Sequence, residues 1–191
     1  MNNMIWNRLK YVLSPQFDVY NVLKNIVRNR VADIGFGTGF GMHLFKANAK
    51  DIYGYEIDED AIRFAQAVFP FRDFHFGFGD IVKGIEDGPF DFVTMIDVIE
   101  HIEKDQIALQ NVKKIMATGG TFICSTPNRL SRYRKGECHF REYAPREFEA
   151  LLKRVFISVS LRNHSLEPLI NKYENPILAV CRNDEPVPQS K

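Results

Sequence analysis

The chain has 191 residues, of which 45% are hydrophobic and 26% are charged, and its formal net charge is +1. This length suits one well-buried domain, and no apolar run is long enough to span a bilayer. The near-zero net charge excludes a general attraction to nucleic acid or to an acidic membrane. The start of the chain lacks the apolar core of a secretory signal, so a cytoplasmic location is expected. The three cysteines include no C-x-x-C pair and are expected to be reduced thiols.

The first segment, residues 1–29, is predicted to be helical. From residue 4 onward, apolar residues recur at spacings of three and four, which indicates two amphipathic helices with a break near Ser14-Pro15. Packing on a sheet is the favoured role for residues 16–29, and the role of residues 1–13 is left open. A lid over a ligand would instead turn three aromatic side chains toward the substrate: Trp6, Tyr11 and Phe17.

A glycine-rich loop follows the first apolar run. Residues 31–34 read as a strand, an amphipathic stretch begins near residue 40, and glycine occupies alternate positions between them: Gly35, Gly37 and Gly39. Glycine permits a positive φ and a close approach of the backbone to a ligand. Asp33, at the carboxyl end of the strand, can accept hydrogen bonds from a ligand or from the loop amides. The dinucleotide fingerprint G-x-G-x-x-G fails, because Phe40 stands at its last position.

A second strand over residues 51–57 ends in Glu56, about 20 residues past the glycine loop. In a nucleotide-binding βαβ unit, a carboxylate at this distance accepts hydrogen bonds from both ribose hydroxyls. The alternative is a plain surface carboxylate at a strand end. The spacing, the strand context and the helix start at Asp58 favour the ribose role.

The central part of the chain predicts further strands with polar residues at their ends. Residues 74–76 alternate as a half-buried strand does, and Gly79-Asp80-Ile81 follows. Residues 90–96 form a nearly continuous apolar run, typical of a buried parallel strand. If a helix begins at its end, Asp97, Glu100 and His101 project from one face. An amphipathic helix through Met116 is then predicted to close at Gly119-Gly120, before a strand over residues 121–126.

A basic loop over residues 127–136 leaves that strand. It could bind a phosphate or carboxylate of the substrate, or it could be an ordinary solvated loop. His139 follows the loop, and two β-rich runs at 155–161 and 176–181 raise the strand count to seven. The tail, residues 182–191, is predicted to be disordered. The basic loop carries four cations and one tyrosine: Arg129, Arg132, Tyr133, Arg134 and Lys135.

The spacing of Asp33 and the three glycines resembles the first motif of class I S-adenosylmethionine (SAM)-dependent methyltransferases. The resemblance covers residues 30–181, with further motifs at 54–58, at Gly79-Asp80 and at 90–102. It implies SAM as the cofactor and a single-domain α/β fold, a Rossmann-like doubly wound sheet of seven strands in order 3-2-1-4-5-7-6 with the last pair antiparallel. The implied cofactor residues are Asp33, Gly35, Gly37, Gly39, Glu56, Ile57, Asp80, Ile81 and Asp97.

The runs Asp97 to His101 and His139 to Tyr143 look most like the small-molecule branch of ubiquinone-biosynthesis O-methyltransferases. This resemblance implies methyl transfer to a hydroxyl or another nucleophile of a small molecule, with an acidic or phosphate-bearing acceptor as one option. His101 and His139 are the candidate catalytic bases, since imidazole is suited to proton transfer near neutral pH.

Two other functions stay open at this stage. Asp97, Glu100, His101 and His139 also resemble the metal site of small-RNA 2′-O-methyltransferases, although no tightly held metal is expected and a nucleic-acid partner is not favoured. A SAM-binding subunit without catalytic activity is the second alternative. The sequence fixes neither the acceptor, nor O-, N- or C-methylation, nor the oligomeric state.

Overall fold

A computed structural model describes residues 15–132 and 138–184, and within them seven strands form one sheet in the order β3-β2-β1-β4-β5-β7-β6. Strands β1 to β5 are parallel, whereas β7 is antiparallel to both of its neighbours. The predicted order and the antiparallel last pair are therefore confirmed. The strands are β1 Asn29–Ile34, β2 Ala49–Glu56, β3 Phe74–Phe78, β4 Phe90–Ile96, β5 Met116–Thr126, β6 Ser158–Arg162 and β7 Ile177–Arg182.

Helices cover both faces of this sheet. On one face the helices bury Leu23, Phe45 and Ala65 against the strands, and on the other they bury Leu109 and Phe148. The central strands are mostly apolar because both of their faces are covered. The helices are α1 Pro15–Leu23, α2 Phe40–Phe45, α3 Glu59–Val68, α4 Asp105–Ile115 and α5 Pro145–Lys153, with a 3₁₀ turn at Ile99–His101. None of them is long and apolar enough to cross a membrane.

The chain departs from the predicted boundaries at two places. Helix α4 ends at Ile115 and not at Gly119-Gly120, because Met116 is already extended and pairs with Phe90 of β4. The amide of Gly119 donates to the carbonyl of Asn183, and the amide of Asn183 donates to the carbonyl of Gly120. The ordered chain therefore passes the predicted boundary at residue 181 and includes Arg182 at the end of β7. Residues 1–14 and 185–191, with most of the predicted lid and tail, lie outside the described residues.

The connection between β3 and β4 is unusual for a doubly wound sheet. Residues 79–89 form turns and contain no helix. A crossover helix at this point would pack on the sheet face that carries Tyr53, Tyr55, His75 and Gly77. That face is left uncovered near the outer edge of β3.

Candidate cofactor and active site

The glycine loop joins the carboxyl end of β1 to α2 in a left-handed backbone conformation. Gly35, Gly37 and Gly39 have φ angles of 71°, 57° and 78°, values that side chains with a Cβ rarely adopt. At Gly35 the constraint is also steric, since an added Cβ would lie 2.5 Å from a methyl carbon of Val98. The loop therefore needs glycine for both conformation and space, as the sequence predicts.

Glu56 ends β2 directly beside this loop. One of its carboxylate oxygens, Oε2, accepts a hydrogen bond of 2.9 Å from the amide of Gly37. The other oxygen, Oε1, accepts from the amides of Ile57 and Asp58 at 2.8 and 3.2 Å. Glu56 is therefore held at the mouth of the glycine loop, where a ribose carboxylate is expected.

Replacing Glu56 by alanine is expected to weaken SAM binding by about 1.5 to 3 kcal/mol, the range for hydrogen bonds to a charged group. Isothermal titration calorimetry with SAM measures the change. Asp58→Asn serves as a matched control, because Asp58 caps α3 through the amides of Asp60 and Ala61 and is not an expected ribose ligand. Unchanged affinity in Glu56→Ala would rule out the ribose role.

The structure places Asp33 beneath the loop. Its side chain is 0% exposed, and its oxygens accept from Tyr20 Oη at 3.0 Å and from Thr94 Oγ1 at 2.7 Å. A helix and a neighbouring strand thus supply its described partners, and its role toward a ligand stays a prediction. Burial raises the pKa of Asp33 to about 7, against the opposing effect of these hydrogen bonds.

This raised pKa predicts a pH-dependent stability. Between about pH 4 and pH 7 the unfolded chain loses the Asp33 proton while the folded chain keeps it, so stability falls as the pH rises. The contribution of Asp33 to this slope is at most about 1.4 kcal/mol per pH unit. Asp33→Asn, which keeps a neutral side chain of the same shape, should make the profile measured by urea unfolding less steep by this amount, while Asp97 and Glu100 keep their own contributions. Asp18→Asn, at an exposed position of α1, should leave it unchanged, and an unaltered slope in Asp33→Asn would contradict the assignment.

A narrow cleft of about 120 Å³ opens between the glycine loop and the start of α1. Phe17 lies over the loop, with its ring 5.7 Å from that of Phe40. Packing is the favoured role of residues 16–29, but the first turn of α1 also lines the cleft, and Phe17 there is one of the three aromatic residues of the lid alternative. The lining residues are Gln16, Phe17, Tyr20, Gly35, Phe36, Gly37, Thr38, Phe40, Gly41, Ile96 and Asp97.

The expected adenine end of the site lies beyond β2 and β3. Ile57 is 65% exposed next to Glu56, whereas Ile81 is only 4% exposed and belongs to the core. Asp80 accepts from the amide of Val82 at 3.0 Å and so organises its own turn. Phe78 pairs with Glu56 across the strands and is 61% exposed, an apolar surface that the sequence did not single out. Ile57 is thus free to cover a planar ring, and the cofactor roles of Asp80 and Ile81 stay predictions.

Asp97 leaves β4 in a left-handed conformation, with φ at 53°. Its amide donates a hydrogen bond of 3.0 Å to Ser125 Oγ, and its Oδ1 accepts one of 2.6 Å from the same hydroxyl. The condition of a helix start here is not fulfilled, because this conformation is incompatible with an α-helix and only a 3₁₀ turn follows at Ile99–His101. Burial raises the pKa of Asp97.

Glu100, His101 and His139 form a compact cluster beside Asp97, with one ligand atom of each within 4.8 Å of the others. Their rings and carboxylate are held by further partners. His101 Nδ1 lies 3.1 Å from the carbonyl of Cys138, and His139 Nδ1 lies 3.0 Å from Glu142 Oε1. The carbonyl can only accept, so His101 Nδ1 carries the hydrogen and its neutral ring presents a basic lone pair on Nε2.

Glu100 is the buried member of this cluster, with 1% of its surface exposed. Its Oε2 accepts from Thr126 Oγ1 at 3.1 Å, while its Oε1 has no partner among the described residues. Burial, and then the nearby Asp97, raises the pKa of Glu100 to about 8. Its main-chain carbonyl accepts from the amides of Phe140 and Arg141, which fixes the segment that carries His139.

The basic loop is only partly described. The guanidinium of Arg129 pairs with the carboxylate of Glu147 on α5 at 2.7 Å. Tyr133, Arg134 and Lys135 lie outside the described residues. Arg129 is therefore paired within the protein, and the phosphate-binding role of the basic loop stays a prediction.

The seven-strand sheet, with a glycine loop and an acid at the end of β2, is the architecture of class I methyltransferases. The chain belongs to a family described as a methyltransferase domain, whose model matches residues 7–166. This membership confirms the predicted family and SAM as its cofactor.

Individual relatives agree with this family. The chain is 28% identical over 102 residues to a probable S-adenosylmethionine-dependent methyltransferase of Mycolicibacterium smegmatis, covering 53% of this chain and 39% of that one. It is 26% identical over 107 residues to a ubiquinone biosynthesis O-methyltransferase of Maricaulis maris, covering 54% and 42%. These alignments span about two fifths of each relative.

A solved structure is similar over nearly the whole chain. The TehB-like SAM-dependent methyltransferase of Corynebacterium glutamicum superposes with a TM-score of 0.72 at 20% identity, and the alignment covers 94% of both chains. At this identity the likeness supports the fold alone.

Proposed function

We propose that the chain transfers the methyl group of SAM to a hydroxyl, or another nucleophile, of a small acceptor molecule. The observation that carries this proposal is the bond between Glu56 and the Gly37 amide, because it sets a ribose acceptor at a loop open to the cofactor. SAM is already a strong electrophile, so the protein has mainly to align the nucleophile and exclude water.

The residue roles follow from position. Asp97, which lines the cleft, would lie beside the methionine part of SAM. His101 presents its basic nitrogen next to this point and takes the proton of the acceptor hydroxyl, while His139 and Glu100 hold the neighbouring wall. The sequence similarity to a ubiquinone biosynthesis O-methyltransferase supports a phenolic acceptor as the first class to test.

The test is transfer of a labelled methyl group from SAM to a panel of small phenols, with and without acidic substituents. Labelled product, with release of the demethylated cofactor, is expected for at least one phenol. SAM binding without transfer to any phenol, amine or thiol would reject this proposal and favour a non-catalytic subunit.

A metal-assisted transfer is the second candidate, and the cluster of Glu100, His101 and His139 is the observation that favours it. Two imidazoles and a carboxylate are suitable ligands for a divalent ion with open positions. Part of this ligand set is already engaged within the protein, because Glu100 Oε2 accepts from Thr126 Oγ1 and His139 Nδ1 lies 3.0 Å from Glu142 Oε1. For this reason we favour base catalysis without a tightly held ion.

Activity is therefore expected to survive dialysis against a chelator. The measurement is methyl transfer in EDTA, followed by addition of magnesium, manganese or cobalt. Transfer that vanishes in chelator and returns with one of these ions would overturn the preference for base catalysis.

A further inference from the structure

The outer edge of β3 carries backbone groups that no other strand uses. In the pairing with β2, the carbonyl of Asp73 accepts from Ile52 and the amide of Gly79 donates to Glu56. Residues 73, 75, 77 and 79 therefore face β2, and Phe74, Phe76 and Phe78 direct their backbone groups outward.

Few of these outward groups have partners. The Phe74 amide donates to Phe71, and the Phe76 carbonyl accepts a long bond of 3.4 Å from the exposed side chain of Gln66. The amides of Phe76 and Phe78 and the carbonyl of Phe74 bond nothing among the described residues. A row of open backbone groups on an edge strand is a template for pairing with another strand.

A groove of about 450 Å³ follows this edge, and Phe76 in its wall also packs on Phe36 of the glycine loop, with ring centroids 5.3 Å apart. It exists because residues 79–89 provide no helix over β2 and β3. Its two walls are the opposite faces of the sheet, one lined by Gln66, Phe69, Pro70, Phe71, Phe74 and Phe76, and the other by Tyr53, Tyr55, His75, Gly77 and Asp87.

The strand is complementary to itself in one register. In an antiparallel pair with a two-fold axis at Phe76, Phe74 lies opposite Phe78 of the second copy, and His75 lies opposite its Gly77. An added Cβ on Gly77 would meet nothing within 4 Å, so there is room for the facing imidazole. On the other face, three phenylalanines from each copy would form one aromatic cluster and cover Phe78.

We propose that two copies of this chain associate through antiparallel pairing of their β3 strands, so that the two sheets become one continuous sheet. The Phe76 amide of each copy would donate to the Phe76 carbonyl of the other copy. Each Phe78 amide would donate to the facing Phe74 carbonyl. These four bonds use the open groups of the edge and displace only the exposed Gln66 side chain. A different partner strand would lack the matched placement of His75 against Gly77.

Sedimentation equilibrium of the full chain tests the proposal. A species of twice the 22.1 kDa chain mass is expected at micromolar concentration. Gly77→Lys should abolish the dimer, because its side chain would occupy the place of the facing His75, while the open space around Gly77 leaves the monomer fold undisturbed. Ile157→Lys adds the same charge at an exposed site outside the groove and should keep the dimer.

Disulfide trapping tests the register. In a Cys138→Ser background, which removes the exposed cysteine and keeps the buried Cys124 and Cys181, the double variant His75→Cys and Gly77→Cys should oxidise to a covalent dimer. Neither single variant should form a covalent dimer, because residue 75 of one copy faces residue 77 of the other copy and not residue 75. A monomer at all concentrations, or a dimer that survives Gly77→Lys and resists trapping, would overturn the proposal.

Discussion

Replacing His101 by alanine is expected to lower the turnover rate of methyl transfer about 100-fold or more, the effect of removing a general base. SAM affinity should stay unchanged, because the histidine lies beyond the glycine loop and bonds the carbonyl of Cys138. The measurement is kcat with an accepted phenol, together with the Kd for SAM by calorimetry.

His164→Ala is the matched control for this variant, since His164 is exposed beyond strand β6 and is not assigned to the site. A His101→Ala enzyme with unaltered kcat would remove His101 from the chemistry. Loss of SAM affinity with intact folding would instead place it in the cofactor site.

Replacing Gly35 by alanine is expected to destabilise the fold by roughly 2 to 5 kcal/mol. The left-handed conformation costs roughly 1 to 2 kcal/mol, and forcing a Cβ against Val98 adds roughly 1 to 3 kcal/mol. The measurement is the free energy of unfolding in urea.

Two other substitutions separate the contributions. Gly119→Ala has a similar φ of 72° with nothing within 4 Å of its Cβ, so it should show the conformational cost alone. Adding Val98→Ala to Gly35→Ala should recover part of the steric loss. Equal destabilisation in Gly35→Ala and Gly119→Ala would contradict a steric role for Val98.

The sequence predicted the frame of the site because that frame depends on local signals. The alternate glycines after the first strand and the acid at the end of the next strand can each be recognised within a short segment of sequence. In a parallel sheet the carboxyl ends of these strands share one edge, so Gly37 and Glu56 meet even though 19 positions separate them.

The rest could not be predicted because it depends on contacts between distant segments. Tyr20 and Thr94 take the oxygens of Asp33 across 13 and 61 positions, and no local pattern announces either bond. Helix α4 ends early because Met116 pairs with Phe90, which overrides its helical spacing. Likewise, the burial of Ile81 depends on the fold around it and not on its place beside Asp80.

The central claim is that the glycine loop and Glu56 form a SAM site and not a dinucleotide site. Calorimetric titration of the folded chain with SAM, and separately with NADH, tests it most directly. The site described here predicts a micromolar Kd for SAM, about −8 kcal/mol, and no heat of binding for NADH. Binding of NADH with no binding of SAM would contradict the claim.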